Sequence, residues 1–451
     1  MKDMSIFIFV TGLLLLSSFQ SSAQSDVVIT EEMVFHMVEE NIEQYRKGDV
    51  TIKVLDRDGK PVTGARVSVD QVSHDFLFGA LLFDLTRDKM DPDRERIFKE
   101  RFLELFNYGI VPFYWSGYEK EPGHPRWDRM QDALTWCVEH DITVKGHPLA
   151  WTHQAGMPEY ILNMSLEDSE KLLEARIMEN VLGFDRISIW DVVNEPVNTV
   201  TWEMAHEDKD ATERYRSDIP LEEVADWVDK AYKAAHRADP EKQLVLNEFR
   251  QFADEEIRSR FYGFVEELIS RGTPVDALGI QAHEPREEWF NPVDVWNTLN
   301  LYAEFGLPLQ ITEFSPQSRG AEITGGYRAG TWTTGTQAGF TEMMYRIWFG
   351  HPSVESINWW GFSDANGWLP GCGITDEDLN PKPVYEVLKK LIREEWMTHD
   401  LEVVSDKKGL ATFRGFYGGY NVEVITRQGG QLSGTFHLEK GKEHVWTMAP
   451  E

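Results

Sequence analysis

Trp190-Asp191-Val192-Val193-Asn194-Glu195-Pro196 is an apolar, strand-like run that leads into a glutamate, and Leu309-Gln310-Ile311-Thr312-Glu313-Phe314 repeats the arrangement later in the chain. At the carboxyl end of a parallel barrel strand, such a side chain stands where reactive groups gather. Two carboxyl groups are the minimum for cutting a glycosidic bond, because one protonates the leaving oxygen while the other attacks the anomeric carbon or activates water. The pair predicts a glycosidase, although either residue alone could be a helix cap or a surface acid.

Eight apolar segments predict strands: Phe76–Leu82, Tyr108–Tyr114, Thr143–Ala150, Ile187–Val193, Leu244–Phe249, Ala277–Ala282, Leu307–Ile311 and Ser356–Trp360. Segments with helical periodicity separate them, and residues 221–235 carry the clearest apolar stripe. Eight strand–helix repeats predict an α/β fold, a closed (β/α)8 TIM barrel over residues 76–396. Glu195 then follows the fourth strand and Glu313 the seventh.

The two ends of the chain have other patterns. Residues 1–24 combine Lys2, an apolar stretch and a small-residue cleavage motif, which is typical of a signal peptide. Residues 25–75 predict a short helix and a hairpin around Asp58-Gly59, and residues 397–451 predict a β-rich module of short strands. Because a tail of this size has a small core, we expect it to join the early hairpin in one accessory β-sandwich.

The net charge of the chain argues against some classes of binding partner. Asp and Glu number 76 against 45 Lys and Arg, which gives a formal net charge of −31 over 451 residues. This charge repels phosphate backbones and anionic lipids, so we expect no nucleic-acid partner and no membrane association after signal cleavage. The export signal predicts a secreted or periplasmic protein, and we expect a monomer. We expect Cys137 and Cys372 to be buried thiols rather than a disulfide.

Several motifs resemble, in order, the signatures of glycoside hydrolase family 10. They are Gly146-His147-Pro148-Leu149-Ala150-Trp151, Trp190 to Glu195, Gly279-Ile280-Gln281-Ala282-His283, Ile311-Thr312-Glu313, and Trp359-Trp360-Gly361-Phe362 with Trp368-Leu369. Members are mostly endo-β-1,4-xylanases. The resemblance therefore implies a hydrolase that cuts xylan or a related β-1,4-linked plant polysaccharide within the chain, without a cofactor.

The resemblance also implies roles for individual residues. Glu195 looks like the general acid/base and Glu313 like the nucleophile of a retaining, double-displacement reaction. Asn194 is expected to hold the 2-hydroxyl of the sugar at the cleavage point. Further positions that match substrate contacts are His147, Trp151, Gln281, His283, Trp360 and Trp368. We expect His283 to hydrogen-bond Glu313.

Two departures from the family pattern concern specificity. Where members usually carry a Glu-Asn pair and then a lysine, this chain has Phe113, Tyr114 and Gly117. Aromatic side chains thus replace the polar ones that hydrogen-bond the sugar unit one position farther from the cleaved bond. We expect Phe113 and Tyr114 to contact substrate. Ser315 replaces an aspartate that orients the histidine. We expect its hydroxyl to bond His283 and the acid limb of the pH–rate profile to be displaced.

Other functions fit the same residues. A glycosidase with exo or glucan specificity would keep both glutamates, and a noncatalytic glycan-binding barrel would keep the aromatic walls. A metal site formed by His147, His153 and His283 lacks a spaced carboxylate to complete it. The acidic run at residues 376–378 lacks the spaced oxygens and turn glycine of a calcium loop. We therefore expect no metal.

Overall fold

The computed structural model describes residues 29–87 and 89–450. The predicted signal peptide, residues 1–24, lies outside this part of the chain. None of the helices within it is long and apolar enough to cross a membrane.

The described residues form strands and helices in the following order. The strands are β1 (Lys47–Val54), β2 (Arg66–Gln71), β3 (Leu77–Leu81), β4 (Tyr108–Pro112), β5 (Thr143–His147), β6 (Ile189–Asn194), β7 (Gln243–Glu248), β8 (Ala277–Ile280), β9 (Leu309–Phe314), β10 (Val354–Trp359), β11 (Leu401–Val404), β12 (Leu410–Phe416), β13 (Gly418–Ile425), β14 (Gln431–Leu438) and β15 (His444–Met448). The helices are α1 (Glu31–Asn41), α2 (Phe83–Thr86), α3 (Pro92–Leu105), α4 (Trp115–Tyr118), α5 (Trp127–Glu139), α6 (Glu159–Leu162), α7 (Leu166–Gly183), α8 (Trp202–Glu207), α9 (Leu221–Ala238), α10 (Glu255–Ser270), α11 (Pro292–Ala303), α12 (Thr334–Gly350) and α13 (Pro383–Lys389). Short π-helical turns lie at Ile42–Arg46 and Lys390–Glu395, and a 3-10 turn lies at Lys209–Glu213.

Strands β3 to β10 close into a parallel barrel, in which β10 returns to pair with β3. These are the eight strands that the sequence predicts, and the predicted fold class is confirmed. β9 runs through Glu313 to Phe314, beyond the predicted end at Ile311, and all of its residues are buried. A strand buried on both faces reads as a continuous apolar run, which explains why the sequence located these strands well.

Close packing between β5 and β6 depends on Gly146. A Cβ atom at this position would lie 2.2 Å from the Trp190 ring, so only glycine lets the indole lie against β5. Trp190 is fully buried and precedes the residues at the end of β6. The contact therefore fixes the strand that carries Asn194 and leads directly into Glu195.

The accessory β-sandwich has two facing sheets, with strand orders β12-β1-β15 and β11-β2-β13-β14. Apolar side chains from both sheets share one core, to which β1 contributes Ile52, β2 Val69, β12 Phe413 and β13 Val422. The predicted union of the two chain ends is thus present. The division of the chain at residues 75 and 396 stays a prediction.

The predicted hairpin is wrong in its pairing. The chain does turn at Asp58-Gly59, where Leu55 and Pro61 form an isolated antiparallel bridge. Beyond that turn the chain crosses to the other sheet, so β1 pairs with β12 and β15, while β2 pairs with β11 and β13. Both strands bury one face, and facing each other across a core satisfies this better than lying side by side.

The two cysteines are both free and buried. Burial raises the pKa of Cys137 to about 12, so this thiol stays protonated at neutral pH. The expectation of buried thiols agrees with the structure.

Candidate active site

A cleft of about 760 Å³ opens at the carboxyl ends of the barrel strands. Eight of the residues expected at the site line it: Tyr114, Trp151, Asn194, Glu195, His283, Glu313, Trp360 and Trp368. They lie at or after the ends of six different strands, so only the closed barrel brings them together. The two glutamates on which the sequence prediction depends therefore share one cleft.

Glu195 sits at the turn after β6 in a strained conformation. Its φ of 55° is in the left-handed region, which non-glycine residues rarely occupy. Its backbone N–H donates to the carbonyl of Asn247 at 2.9 Å, and the Thr199 hydroxyl donates to its carbonyl at 2.8 Å. These bonds hold the residue in place, and strain of this kind is characteristic of functional positions.

A chain of amide hydrogen bonds joins the two glutamates. Asn247 Nδ2 donates to Oε1 of Glu313 at 2.7 Å and to Oδ1 of Asn194 at 2.9 Å. Gln281 Nε2 donates to the same Asn194 oxygen at 3.2 Å and to Oε1 of Glu195 at 3.0 Å. Both bonds use the oxygen of Asn194, which leaves its Nδ2 group, close to the Glu195 carboxyl, as the donor that can meet a hydroxyl of a bound sugar.

The surroundings of Glu195 favour its protonated form. Burial, followed by the charges of Glu248 and Glu313, raises the pKa of Glu195 well above its ordinary value. Oε2 is buried and has no hydrogen-bond partner in the described part of the chain. A carboxyl that keeps a proton and has one unengaged oxygen at a cleft wall suits a general acid.

Glu313 has the opposite surroundings. Besides the Asn247 amide, His283 Nε2 lies 3.2 Å from Oε2, and His147 Nε2 lies 3.8 Å from Oε1. A hydrogen bond that a carboxyl oxygen accepts, such as the one from Asn247, holds this group in place, whereas His147 Nε2 is too distant to form one. The contact with His283 is the one expected from the sequence. The two carboxyl groups of the cleft thus differ in the way that an acid and a nucleophile must differ.

A buried ion pair supports this end of the site from inside the barrel. Lys145 Nζ lies 2.6 Å from Oδ1 of Asp191, and both side chains are 1% exposed. His147 Nδ1 lies 2.7 Å from Oδ2 of Asp191, which orients the ring so that Nε2 faces Glu313. Burial alone would raise the pKa of Asp191, but the Lys145 charge and the His147 hydrogen bond outweigh it and lower the pKa.

Sequence reasoning missed two residues at the end of β7. Asn247 links the glutamates, as described above. Glu248 is fully buried and accepts hydrogen bonds from the Val197 N–H at 2.9 Å and from Asn198 Nδ2 at 2.9 Å. Burial raises the pKa of Glu248 to about 7. The sequence did contain an indication of both residues. Asn247 and Glu248 form a polar pair near the end of the predicted strand Leu244–Phe249, just as Asn194 and Glu195 do after the fourth strand.

Aromatic rings form the walls of the cleft. Tyr114 contacts His147 and Trp151 with ring centroids 5.4 and 5.7 Å apart, and Trp360 packs edge-on against His147 at 5.0 Å. Trp368 is 39% exposed, which leaves ring surface free for a ligand. Planar aromatic faces next to polar groups suit a sugar ring, which has an apolar face and hydroxyl edges.

The expected bond between Ser315 and His283 is wrong. Ser315 Oγ instead donates to the Trp360 carbonyl at 3.0 Å and accepts the Nε1–H of Trp368 at 3.0 Å. The charged group near His283 Nδ1 is Glu284, at 3.9 Å. Ser315 therefore positions an aromatic wall, and its replacement of an aspartate does not act on the histidine directly.

Phe113 was expected to contact substrate, but the structure places it in the core. Its ring packs on Phe184 and Trp190 at 4.9 and 5.0 Å and is fully buried. His147 and Gln281 lie behind the cleft wall, where they contact Glu313 and Glu195. They are placed to orient the glutamates rather than to form the main surface of the cleft.

No group of three or more His, Cys, Asp or Glu residues in residues 29–87 and 89–450 is arranged to hold an ion. In the acidic run, Asp376 Oδ1 accepts from the N–H groups of Asp378 and Asn380, both at 2.9 Å. That carboxylate closes a local turn.

A closed (β/α)8 barrel with a carboxyl group beside the end of its fourth strand and another in its seventh has the paired acids that glycoside hydrolysis requires. The model of the family described as "Glycosyl hydrolase family 10" matches residues 110–391, and the chain belongs to that family. The resemblance drawn from the sequence motifs is confirmed.

Known proteins agree with this assignment. The chain is 26% identical to endo-1,4-beta-xylanase 1 of Arabidopsis thaliana over 413 residues, which cover 88% of this chain and 38% of that protein. It is 28% identical to endo-1,4-beta-xylanase B of Thermotoga neapolitana over 294 residues, or 62% of this chain and 78% of the relative. The chain therefore spans well under half the length of the plant relative.

Solved structures show the same barrel. Native xylanase 10B of Thermotoga maritima superposes with a TM-score of 0.57 at 25% identity, over 71% of this chain and 96% of the other. Xylanase 10B of Thermotoga petrophila, solved in complex with xylobiose, gives the same score and identity over 71% and 95%.

Proposed function

We propose that this protein hydrolyses xylan or a related β-1,4-linked plant polysaccharide, cutting within the chain and retaining the anomeric configuration. The observation that carries the proposal is the pair of buried glutamates in one cleft, joined by amides but with opposite surroundings. Glu195 keeps a proton and an unengaged oxygen, whereas Glu313 receives hydrogen bonds. Family membership and the xylanase names of the relatives support the choice of substrate.

In the first step, Glu195 gives its proton to the glycosidic oxygen as the bond to the anomeric carbon breaks. The carboxylate of Glu313 attacks that carbon from the other face and forms a covalent glycosyl-enzyme. The shortened chain leaves with the transferred proton. Asn194 Nδ2 is free to bond the 2-hydroxyl of the reacting sugar, a contact that strengthens as the ring flattens in the transition state.

In the second step, Glu195 is ionised and removes a proton from a water molecule that attacks the anomeric carbon. The bond to Glu313 breaks, and the product leaves in its original β configuration. Glu195 is protonated again, which restores both residues. Its raised pKa favours the proton donation of the first step, and the ionised form that this donation leaves is the base of the second step.

Export remains part of the proposal. The pattern in residues 1–24 supports release into the periplasm or the medium, where a polymeric glycan would be encountered. Signal-peptide cleavage in a bacterial host, read from the amino terminus of the recovered protein, tests this. An intact Met1 in all recovered protein contradicts it.

The acid/base role is tested with Glu195→Ala and Glu313→Ala. Both variants should lose hydrolysis of xylan. Azide should restore turnover of an activated aryl xyloside by Glu195→Ala and give a β-glycosyl azide, because this anion attacks the glycosyl-enzyme in place of water, displaces Glu313 and needs no general base. Failure of azide to rescue this variant, with the fold intact by circular dichroism, argues against the assignment.

The products released from xylan test whether cleavage occurs within the chain. A ladder of oligosaccharides indicates internal cleavage, whereas release of single sugars alone indicates cleavage at a chain end.

A further inference from the structure

One side of the cleft carries cationic residues that the proposed reaction does not use. We call it the distal pocket, and it is formed by Phe83, Thr86, Arg87, Ser116, Gly117 and Lys120. These residues lie in the segments after β3 and β4, neighbours in the barrel, on the side opposite the segment after β8. The sequence departs from its family in the same segment, at Phe113, Tyr114 and Gly117.

The cations of the distal pocket are available to a ligand. Arg87 and Lys120 are both exposed, and neither side chain forms an ion pair or a hydrogen bond with another described residue. Arg286, across the cleft, is different. Its Nε donates to Glu284 at 2.9 Å, and its guanidinium lies 4.9 Å from the centre of the Trp368 ring. The charge of Arg286 is therefore neutralised within the protein, whereas Arg87 and Lys120 have no such partner among the described residues.

The acidic residue next to Lys120 in sequence is already engaged. Glu119 Oε2 accepts the Nε1–H of Trp115 at 2.9 Å, and Oε1 accepts the N–H of Gly123 at 2.7 Å. Both oxygens thus stabilise the fold of their own loop. The carboxyl groups that line the cleft, those of Glu195, Glu284 and Glu313, follow or lie in β6, β8 and β9.

A ring surface lies beside these cations. Phe83 and Tyr114 stack with centroids 5.8 Å apart and planes 21° apart, which gives the pocket an aromatic side. A sugar unit can rest against this side while a group that branches from it reaches Arg87 and Lys120. In a protein with a net charge of −31, two unneutralised cations at a cleft favour a negatively charged ligand.

We propose that the distal pocket binds a carboxylate carried by the polysaccharide, namely a uronic acid side group on the β-1,4-linked chain. The inference rests on the proposed function, since it names which form of the substrate the same cleft prefers. A guanidinium and an ammonium both bind a carboxylate through charge-assisted hydrogen bonds. The pocket acts in specificity and takes no part in bond cleavage.

The test uses two polymers that differ only in charge. One is a xylan with uronic acid side groups, and the other is the same xylan after reduction of its carboxyl groups to alcohols. The measured quantity is the ratio of kcat/KM on the charged polymer to kcat/KM on the reduced one. Arg87→Gln and Lys120→Ala are compared with wild type and with Arg96→Ala, an exposed residue on α3 that pairs with Glu100.

Wild type should prefer the charged polymer, and each pocket variant should lower the ratio by roughly 1.5-fold to fivefold, the range expected for one exposed charge pair. Arg96→Ala should leave the ratio at the wild-type value. Salt at about 0.5 M should shrink the wild-type preference, because screening is strong at that concentration. A wild-type ratio near one, or variants that keep the wild-type ratio, overturns the inference. Lack of hydrolysis of either polymer overturns the proposed function instead.

Discussion

Removal of the Lys145 ammonium should destabilise the protein more than most single substitutions. In Lys145→Met the apolar stem is kept, but Oδ1 of Asp191 loses a cation 2.6 Å away and Oε1 of Gln310 loses a donor 3.0 Å away. Both members of the pair are 1% exposed, so water cannot replace the lost partner. Breaking such a pair from one side costs about 3–5 kcal/mol of the free energy of unfolding.

Urea denaturation of a double-mutant cycle measures this effect. The cycle consists of wild type, Lys145→Met, Asp191→Asn and the double variant, with unfolding followed by tryptophan fluorescence. Each single variant leaves one buried group without its partner, whereas the double variant leaves no unpaired charge. The double variant should therefore be more stable than the sum of the single losses predicts, by about 2–3 kcal/mol.

The pH dependence has a definite sign. In wild type the pKa of Asp191 is lowered, so its contribution to stability is present above the unfolded pKa and is lost as the pH falls through the folded pKa. In Lys145→Met, burial is opposed only by His147, so the pKa rises and protonation relieves the unpaired charge. The loss relative to wild type should be smaller at pH 4 than at pH 7. A loss below about 1 kcal/mol at pH 7, or strictly additive effects, refutes this reasoning.

Further substitutions test other parts of the site. Glu248→Gln should lower the pKa of Glu195 and shift the alkaline limb of the kcat/KM profile to lower pH, since a neighbouring negative charge is removed; an unshifted limb contradicts the coupling. Ser315→Ala should raise KM several-fold with a smaller change in kcat, because Trp368 loses its hydrogen bond; an equal fall of kcat on all substrates, without a change in KM, contradicts a role in positioning this wall. Gly146→Ala should cost roughly 1–3 kcal/mol of stability through its clash with Trp190, and wild-type stability contradicts the packing argument.

The barrel could be predicted from the sequence because its strands are buried on both faces and therefore appear as short apolar runs. The two candidate catalytic glutamates could be identified because each stands at the end of such a run. Sequence could not show that Phe113 faces the core and Tyr114 the cleft, since neighbouring residues of an extended segment point to opposite sides and the register is set by packing.

The remaining differences depend on contacts between distant parts of the chain. Alternation identifies β1 and β2 as strands but does not say which strands they pair with. Ser315 hydrogen-bonds Trp360 and Trp368, and Glu248 is buried under residues 197 and 198. The strands β6 and β7 are both apolar runs followed by an asparagine and a glutamate. Asn247 and Glu248 could therefore have been identified by examining the polar residues at the end of every predicted strand, as was done for Glu195.

Covalent trapping tests the central claim that Glu195 and Glu313 act together across one cleft. A 2-deoxy-2-fluoro xylobioside with a good leaving group slows the second step and lets the glycosyl-enzyme accumulate. Intact mass followed by peptide mapping should show one fluorosugar per molecule, attached to Glu313, and Glu313→Ala should take up none. Label on another residue, or a first product of wild type with inverted configuration by NMR, would contradict the account.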